Sequence, residues 1–143
     1  MLDPYYRDIK KYIHFYRTDK TTYYTRFHLH EMFEFCFVEQ GSRESFVEKR
    51  IYHLDAGDLL IVNNQEFHMY GVRSDQTQKS ILIHFDPGLF KLFNSPDYDL
   101  LACFTDRPAG EKNKITLKPE HLEAISCLLY KIEEVYESQA PWS

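Results

Sequence analysis

Two histidines and a glutamate fall close together in His28-Leu29-His30-Glu31-Met32-Phe33-Glu34. His28 and His30 stand two apart, and Glu34 follows four residues later, in a run that otherwise reads as β-strand. Strand side chains alternate faces, so His28, His30 and Glu34 share one face of a sheet. His68 echoes them further along the chain. Buried polar groups are costly unless partnered, so such a face either binds something or satisfies itself. Imidazole and carboxylate together suit Fe, Mn, Zn, Cu or Ni, and an ion held with open positions can activate oxygen or water. The same groups can instead form a hydrogen-bonded cluster lining a pocket, with Glu34 accepting from its imidazole neighbours. On residue type and spacing alone, both readings stand.

Other residues share the parity of this face. Tyr24 and Arg26 precede His28 on it, and Tyr70 and His84 belong to later strands of the right phase. The planar fork of Arg26 suits a carboxylate or sugar hydroxyls, or an ion pair with Glu34 or Glu44. Tyrosine on a strand serves equally as packing. Cys36 also faces this side and reads as inert filling. Gly-x-Ser-x-Gly, the Walker loop and Gly-x-Gly-x-x-Gly are absent, so acyl transfer and nucleotide binding have no support. The net charge of −5 argues against a nucleic-acid grip by this segment. Three scattered cysteines without Cys-x-x-Cys argue against a disulfide framework and fit a reducing cytosol. No apolar run has signal-core or membrane-spanning character, so a cytoplasmic protein with no membrane partner is expected.

The elements that must hold these residues are mostly strands. The 11 Tyr and 11 Phe favour β structure. Short strands are expected at Tyr12–Tyr16, Thr22–His30, Phe33–Glu39, Ser42–Lys49, Arg50–Leu54, Leu59–Val62, Phe67–Val72 and Ser80–Phe85, after an irregular 1–11 stretch. Their regular spacing is the pattern of an all-β barrel or jelly roll. Phe33, Phe35 and Phe37 oppose Glu34, Cys36 and Val38, so the outer face of that sheet must be covered as well. The polar Ser42–Leu54 hairpin reads as an edge. Gly57 is placed to supply positive φ in the Asp55–Asp58 turn. Asp86-Pro87 predicts a capped short helix, and Ser95-Pro96 a second one over Tyr98–Phe104. Residues 105–114 read as a polar loop. A long helix follows, over about 119–138, with Leu122, Ile125, Leu129, Ile132 and Tyr136 spaced 3-4-3-4. That seam serves either packing on the chain's own barrel or a homodimer.

The spacing His28-x-His30-x3-Glu34-x6-Gly41 resembles the first cupin motif. Gly57-x5-Asn63-x-Gln65-x2-His68 resembles the second, with departures. The first motif's leading Gly falls on Thr22. In the second, the usual Pro is Asn63, the usual Gly is Gln65 and the closing Asn is Val72. His-x-His-x-x-Phe-Glu with Gly41, then Tyr52-x-Leu54-x-x-Gly57-Asp58-Leu59 and the Asn63–His68 turn, is similar to AraC-type regulators. The Ile81–Phe85 strand, the small helices, Ile115-Thr116-Leu117 and the final helix follow the same plan. The resemblance implies a mainly β, cupin-like double-stranded β-helix over 1–86, followed by a helical extension over 87–143 packed on the same domain. It implies a small-molecule sensor that dimerises through the last helix and does not catalyse; an aromatic-rich pocket with Arg and His suits a sugar, a small acid or an aromatic effector equally. A helix-turn-helix DNA-binding domain would follow Ser143. In cupin enzymes His28, His30, Glu34 and His68 would hold a divalent transition metal, and the competing reading is such a stand-alone oxygenase or isomerase.

Overall fold

The computed structural model describes residues 9–18, 31–71 and 78–138. A short helix, α1 (Ile9–Tyr12), leads into β1 (Ile13–Thr18), so the chain before the first strand is not wholly irregular as expected. There follow β2 (Phe33–Gln40), β3 (Ser42–Val47), β4 (Arg50–Asp55), β5 (Asp58–Val62), β6 (His68–Gly71) and β7 (Lys79–Phe85). Helices α2 (Pro87–Lys91) and α3 (Ala102–Thr105), strand β8 (Lys114–Thr116) and the long helix α4 (Pro119–Ser138) complete the described chain. The strand expected at 22–30 lies outside the described residues.

Two antiparallel sheets face each other, one ordered β1-β7-β2-β5-β8 and the other β4-β3-β6. Strand alternation sorts the side chains as the sequence pattern requires. Cys36, Val38, Leu60, Val62 and Leu82 from the larger sheet meet Val47 and Leu54 from the smaller one, forming a core between the sheets. Phe33, Phe37, Ile61, Ile83 and Phe85 form a second core on the outer face, where Leu101, Phe104 and Leu129 of the helical extension cover them. The expected edge hairpin is corrected in part. β3 is central in its sheet and buries Arg43, Ser45 and Val47, while β4 forms the edge. Polar residues misled that reading because they point inward here.

The extension is woven into the barrel, since β8 pairs with β5 at Leu59↔Ile115. What fixes it is a buried carboxylate that the sequence presented only as part of a polar turn. Glu66 accepts from Arg107 Nη1 and Nη2 at 2.7 Å each, from the Gly110 N–H at 2.7 Å, from Asn113 Nδ2 at 3.0 Å and from the Asn63 N–H at 3.0 Å. Burial alone would raise its pKa, but these bonds prevail and hold the carboxyl below its ordinary range. Asn63 also donates to Phe104 O at 2.8 Å, and the Tyr52 hydroxyl donates to Gly110 O at 2.6 Å. The 105–114 segment is therefore a buttress against the barrel end rather than a free loop.

Gly110 sits at φ +77°, and an added Cβ would lie 2.8 Å from Glu48 Cβ and 3.1 Å from Val47 O. Both the backbone conformation and the space exclude a side chain. Gly110→Ala is expected to cost roughly 1–3 kcal/mol, read as a lowered denaturation midpoint in urea. Helix α2 forms as expected, with Asp86 accepting from the Gly88 N–H at 2.8 Å and Pro87 in the first turn. The second expected helix is shorter. Ser95 and Tyr98 close a bridge, Asp99 Oδ1 accepts from the Leu101 N–H at 2.9 Å, and helix begins only at Ala102.

Candidate functional site

The polar groups converge between the sheets. Glu34 on β2 stands beside His84 on β7 by register, and His68 on β6 reaches it from the facing sheet. His68 Nε2 lies 2.5 Å from Glu34 Oε2, and His84 Nε2 lies 3.3 Å from Glu34 Oε1. Each carboxylate oxygen is thus faced by one imidazole. Glu34 is fully buried and His68 is 1% exposed, whereas the side chain of His84 is 20% exposed and reaches towards solvent. The ring of Tyr16 on β1 meets His84 edge-on at 5.5 Å.

A second polar group lies along the same interior. Arg43, on β3, is buried and brings Nη1 to 3.6 Å from Cys36 Sγ on the opposite sheet. Ser45 is its neighbour on that face, and its buried hydroxyl has no hydrogen-bond partner among the described residues. On β7, the Ser80 hydroxyl donates to Gln78 Oε1 at 2.5 Å, and Gln78 Nε2 donates to Thr18 Oγ1 at 3.2 Å. The barrel therefore encloses a cation, an anion flanked by two imidazoles, and several neutral donors and acceptors. Such an interior can orient a small polar molecule by charge and hydrogen bonding.

Of the residues singled out from sequence, Glu34, His68 and His84 come together. Tyr70 lies on β6, with its backbone paired opposite Ser45. Tyr24, Arg26, His28 and His30 lie outside the described residues. Arg43 and Ser45 were missed because their strand looked like a solvated edge. The alternation of Arg43, Ser45 and Val47, ending on an apolar residue, was the available signal.

Among the described residues, no group of three or more His, Cys, Asp or Glu side chains is arranged to hold a metal ion. Ligands of a transition metal converge at about 2.0–2.2 Å on one point. Here the two oxygens of Glu34 are directed one to each imidazole. A metal site would depend on His28 and His30.

Cys36 is inert by its surroundings. Burial pushes its thiol up to about 11, although Arg43 pulls the other way. In the native protein Cys36 is expected to resist a thiol reagent at pH 8. Cys127 is exposed and should label first; Cys103 follows, its own pKa raised by burial. Native titration should count two thiols and unfolded titration three.

The seam of α4 is used on the chain's own sheet. Leu129 is buried there, and Leu122, Ile125 and Tyr136 pack against the outer core. Their 3-4 spacing matches the single stripe that such a cover needs. Ile132 is 37% exposed, and beside it Leu128 and Val135 stand 54% and 46% exposed.

Two facing antiparallel sheets that enclose buried polar groups beside an apolar core, continued by covering helices, define a cupin-like barrel. The chain belongs to the AraC-like ligand binding domain family, whose sequence profile matches residues 11–128. Among solved structures it is similar to apo ToxT from Vibrio cholerae, at 10% identity and a TM-score of 0.55, over 83% of this chain and 46% of that one. It thus spans less than half of the ToxT chain, and at this identity the likeness shows the fold alone. An RmlC-like cupin from Shewanella frigidimarina aligns at 17% identity over 52% of this chain and 67% of its own, with a TM-score of 0.47. A cupin 2 conserved barrel domain protein from Salinispora arenicola aligns at 15% identity over 57% and 67%, with a TM-score of 0.46. No curated protein matches the sequence. No helix among the described residues is long and apolar enough to cross a membrane.

Proposed function

We propose that this chain is the small-molecule-sensing and dimerisation part of a cytoplasmic AraC-type transcription regulator, acting with a helix-turn-helix DNA-binding domain and catalysing nothing itself. The observation that carries this reading is a barrel of the AraC-like ligand binding family with charge and hydrogen-bonding groups enclosed in it. The effector is a small acid or a polyhydroxylated molecule such as a sugar. Arg43 meets its anionic or hydroxyl groups, Ser45 supplies a hydroxyl, and the His68–Glu34–His84 group orients the remainder. Tyr24, Arg26, His28, His30 and Tyr70 complete the lining. Binding favours one arrangement of the barrel and α4 over others, and so moves the DNA-binding domains by population shift.

Thermal unfolding of the chain with a panel of sugars and small carboxylic acids tests the sensor. A binding partner should raise Tm in a saturable way, because it binds the folded state alone. An effector that gains nothing from the barrel residues, with equal binding to an Arg43→Met variant, would contradict the assignment.

The dimer contact is assigned to the half-exposed stripe of Leu128, Ile132 and Val135, because the other seam residues are occupied on the chain's own sheet. Leu128→Glu places a charge in that contact without disturbing the core. It is expected to weaken self-association by at least about tenfold, measured by sedimentation. A wild-type chain that stays monomeric at high concentration would remove dimerisation from the proposal.

A further inference from the structure

Glu66 is bonded to both halves of the molecule. Its carboxylate anchors the helical extension, accepting from Arg107, Gly110 and Asn113. Its main-chain carbonyl accepts from His68 Nδ1 at 3.1 Å, and His68 Nε2 is the atom that meets Glu34 inside the barrel. A carbonyl only accepts, so Nδ1 is the nitrogen that carries the proton in this contact.

The turn between the two attachments is closed on itself. Asn63 Oδ1 accepts from the Gln65 N–H at 2.8 Å, and the Asn63 N–H donates to Glu66 Oε1 at 3.0 Å. Phe67 is held from outside by Glu48, whose N–H donates to Phe67 O at 2.8 Å. Asn63, Glu66 and His68 are buried, so their polar groups cannot trade a partner for water without cost. A displacement at His68 is therefore passed along the turn rather than absorbed in it. On the far side, Asn113 Nδ2 donates to Ile61 O at 2.8 Å, and Asn113 O accepts from the Ile61 N–H at 2.9 Å. Strand β8 follows Asn113 directly, the Leu117 N–H reaches Gly57 O at 3.4 Å, and α4 starts at Pro119. The helix buries one residue, Leu129, so its seating leans on the segment before it.

We propose that the Asn63–His68 turn transmits the occupancy of the barrel to α4, with Glu66 as the positioning residue at its centre. A molecule that draws His68 away from the Glu66 carbonyl, or presses it closer, moves the carboxylate against Arg107 and Asn113. Strand β8 and the start of α4 move with them. By reciprocity, whatever fixes α4 in one seating changes the affinity of the barrel. The route rests on the barrel being the sensor site.

Two substitutions of His68 isolate the link. A glutamine amide reaches the place of Nε2, and an asparagine amide the place of Nδ1. His68→Gln thus keeps a partner for Glu34 and cuts the bond to the Glu66 carbonyl, whereas His68→Asn does the reverse. Amide hydrogen exchange is measured in the intact chain, without effector, at Gly110 and Ile61, whose N–H groups bond to Glu66 and Asn113. Ile81, in the middle of the five-stranded sheet, is the reference. His68→Gln should speed exchange at Gly110 and Ile61 at least about fivefold relative to Ile81, and His68→Asn should not. In the reverse direction, Arg107→Lys should move the nitrogen chemical shift of His68 Nδ1, a reading that stands if either His68 variant fails to fold. Equal changes in the two His68 variants, unchanged exchange at Gly110 in His68→Gln, or an unmoved Nδ1 signal overturns the route. A barrel that binds none of the test compounds would contradict the sensor reading and leave this coupling measurable. Absent coupling would leave the binding titrations as they are.

Discussion

Arg107→Ala is expected to cost about 3–5 kcal/mol, the usual penalty for removing one member of a buried ion pair. Its partner Glu66 is fully buried and would keep its charge without its two strongest donors. The remaining bonds, from Asn113 and two backbone N–H groups, cannot replace a bidentate guanidinium. The same change frees the buttress that carries β8 and leads into α4, so cooperativity should fall along with the denaturation midpoint. Acid pH tests the cause. The folded pKa of Glu66 is depressed, so its contribution is fully present above the unfolded value of about 4.3 and is lost as pH falls through the folded pKa. In the Arg107→Ala protein the strongest bond opposing burial is gone while those from Asn113, Asn63 and Gly110 remain, so this acid-side loss of stability should flatten. Urea unfolding of both proteins between neutral and acid pH measures the two effects. A loss below about 1 kcal/mol at neutral pH would reduce the pair to an ordinary surface contact.

Much of the barrel was legible in the sequence because burial follows a period of two. Glu34, Cys36 and Val38 face inward and the three phenylalanines outward, as the alternation alone requires. Gly57 has φ +94°, as its turn demands. Asp86-Pro87 was readable because a cap needs only its immediate neighbours. Long-range pairings of polar residues were not readable. Glu66 and Arg107 are 41 positions apart, and each looked like a solvated loop residue until the fold joined them. Arg43 was hidden for the related reason that an inward cation and an outward one look alike in sequence. The heptad of α4 was visible as a stripe, but a stripe does not say which surface it covers. Here the answer came from the sheet, whose outer phenylalanines and isoleucines needed that cover.

Glu34→Gln should reduce effector affinity at least about tenfold, or about 1.4 kcal/mol, while leaving the barrel folded. The substitution keeps the shape and one acceptor oxygen but removes the negative charge that faces both imidazoles. At 2.5 Å from His68 and 3.3 Å from His84, Glu34 acts with the Glu66 carbonyl, which accepts from His68 Nδ1 at 3.1 Å, to set which ring nitrogens carry protons, and hence which are donors to a bound molecule. Replacing an oxygen by an NH2 group forces one ring to turn or to change tautomer. The ligand then meets a reordered set of donors in a site where mispaired groups cost about 1–3 kcal/mol each. Glu34→Ala removes the acceptor altogether and should lower stability by a similar amount, so it is the poorer test of recognition. Pairing Glu34→Gln with Arg43→Met separates the two poles of the barrel. An anionic effector should lose more affinity in the arginine variant, and a neutral polyol more in the glutamate variant. Calorimetric titration of the two variants and their double mutant reads this directly, and additive losses would mean that the effector bridges both poles without coupling them. Unchanged affinity in both would move the sensor site out of the barrel interior.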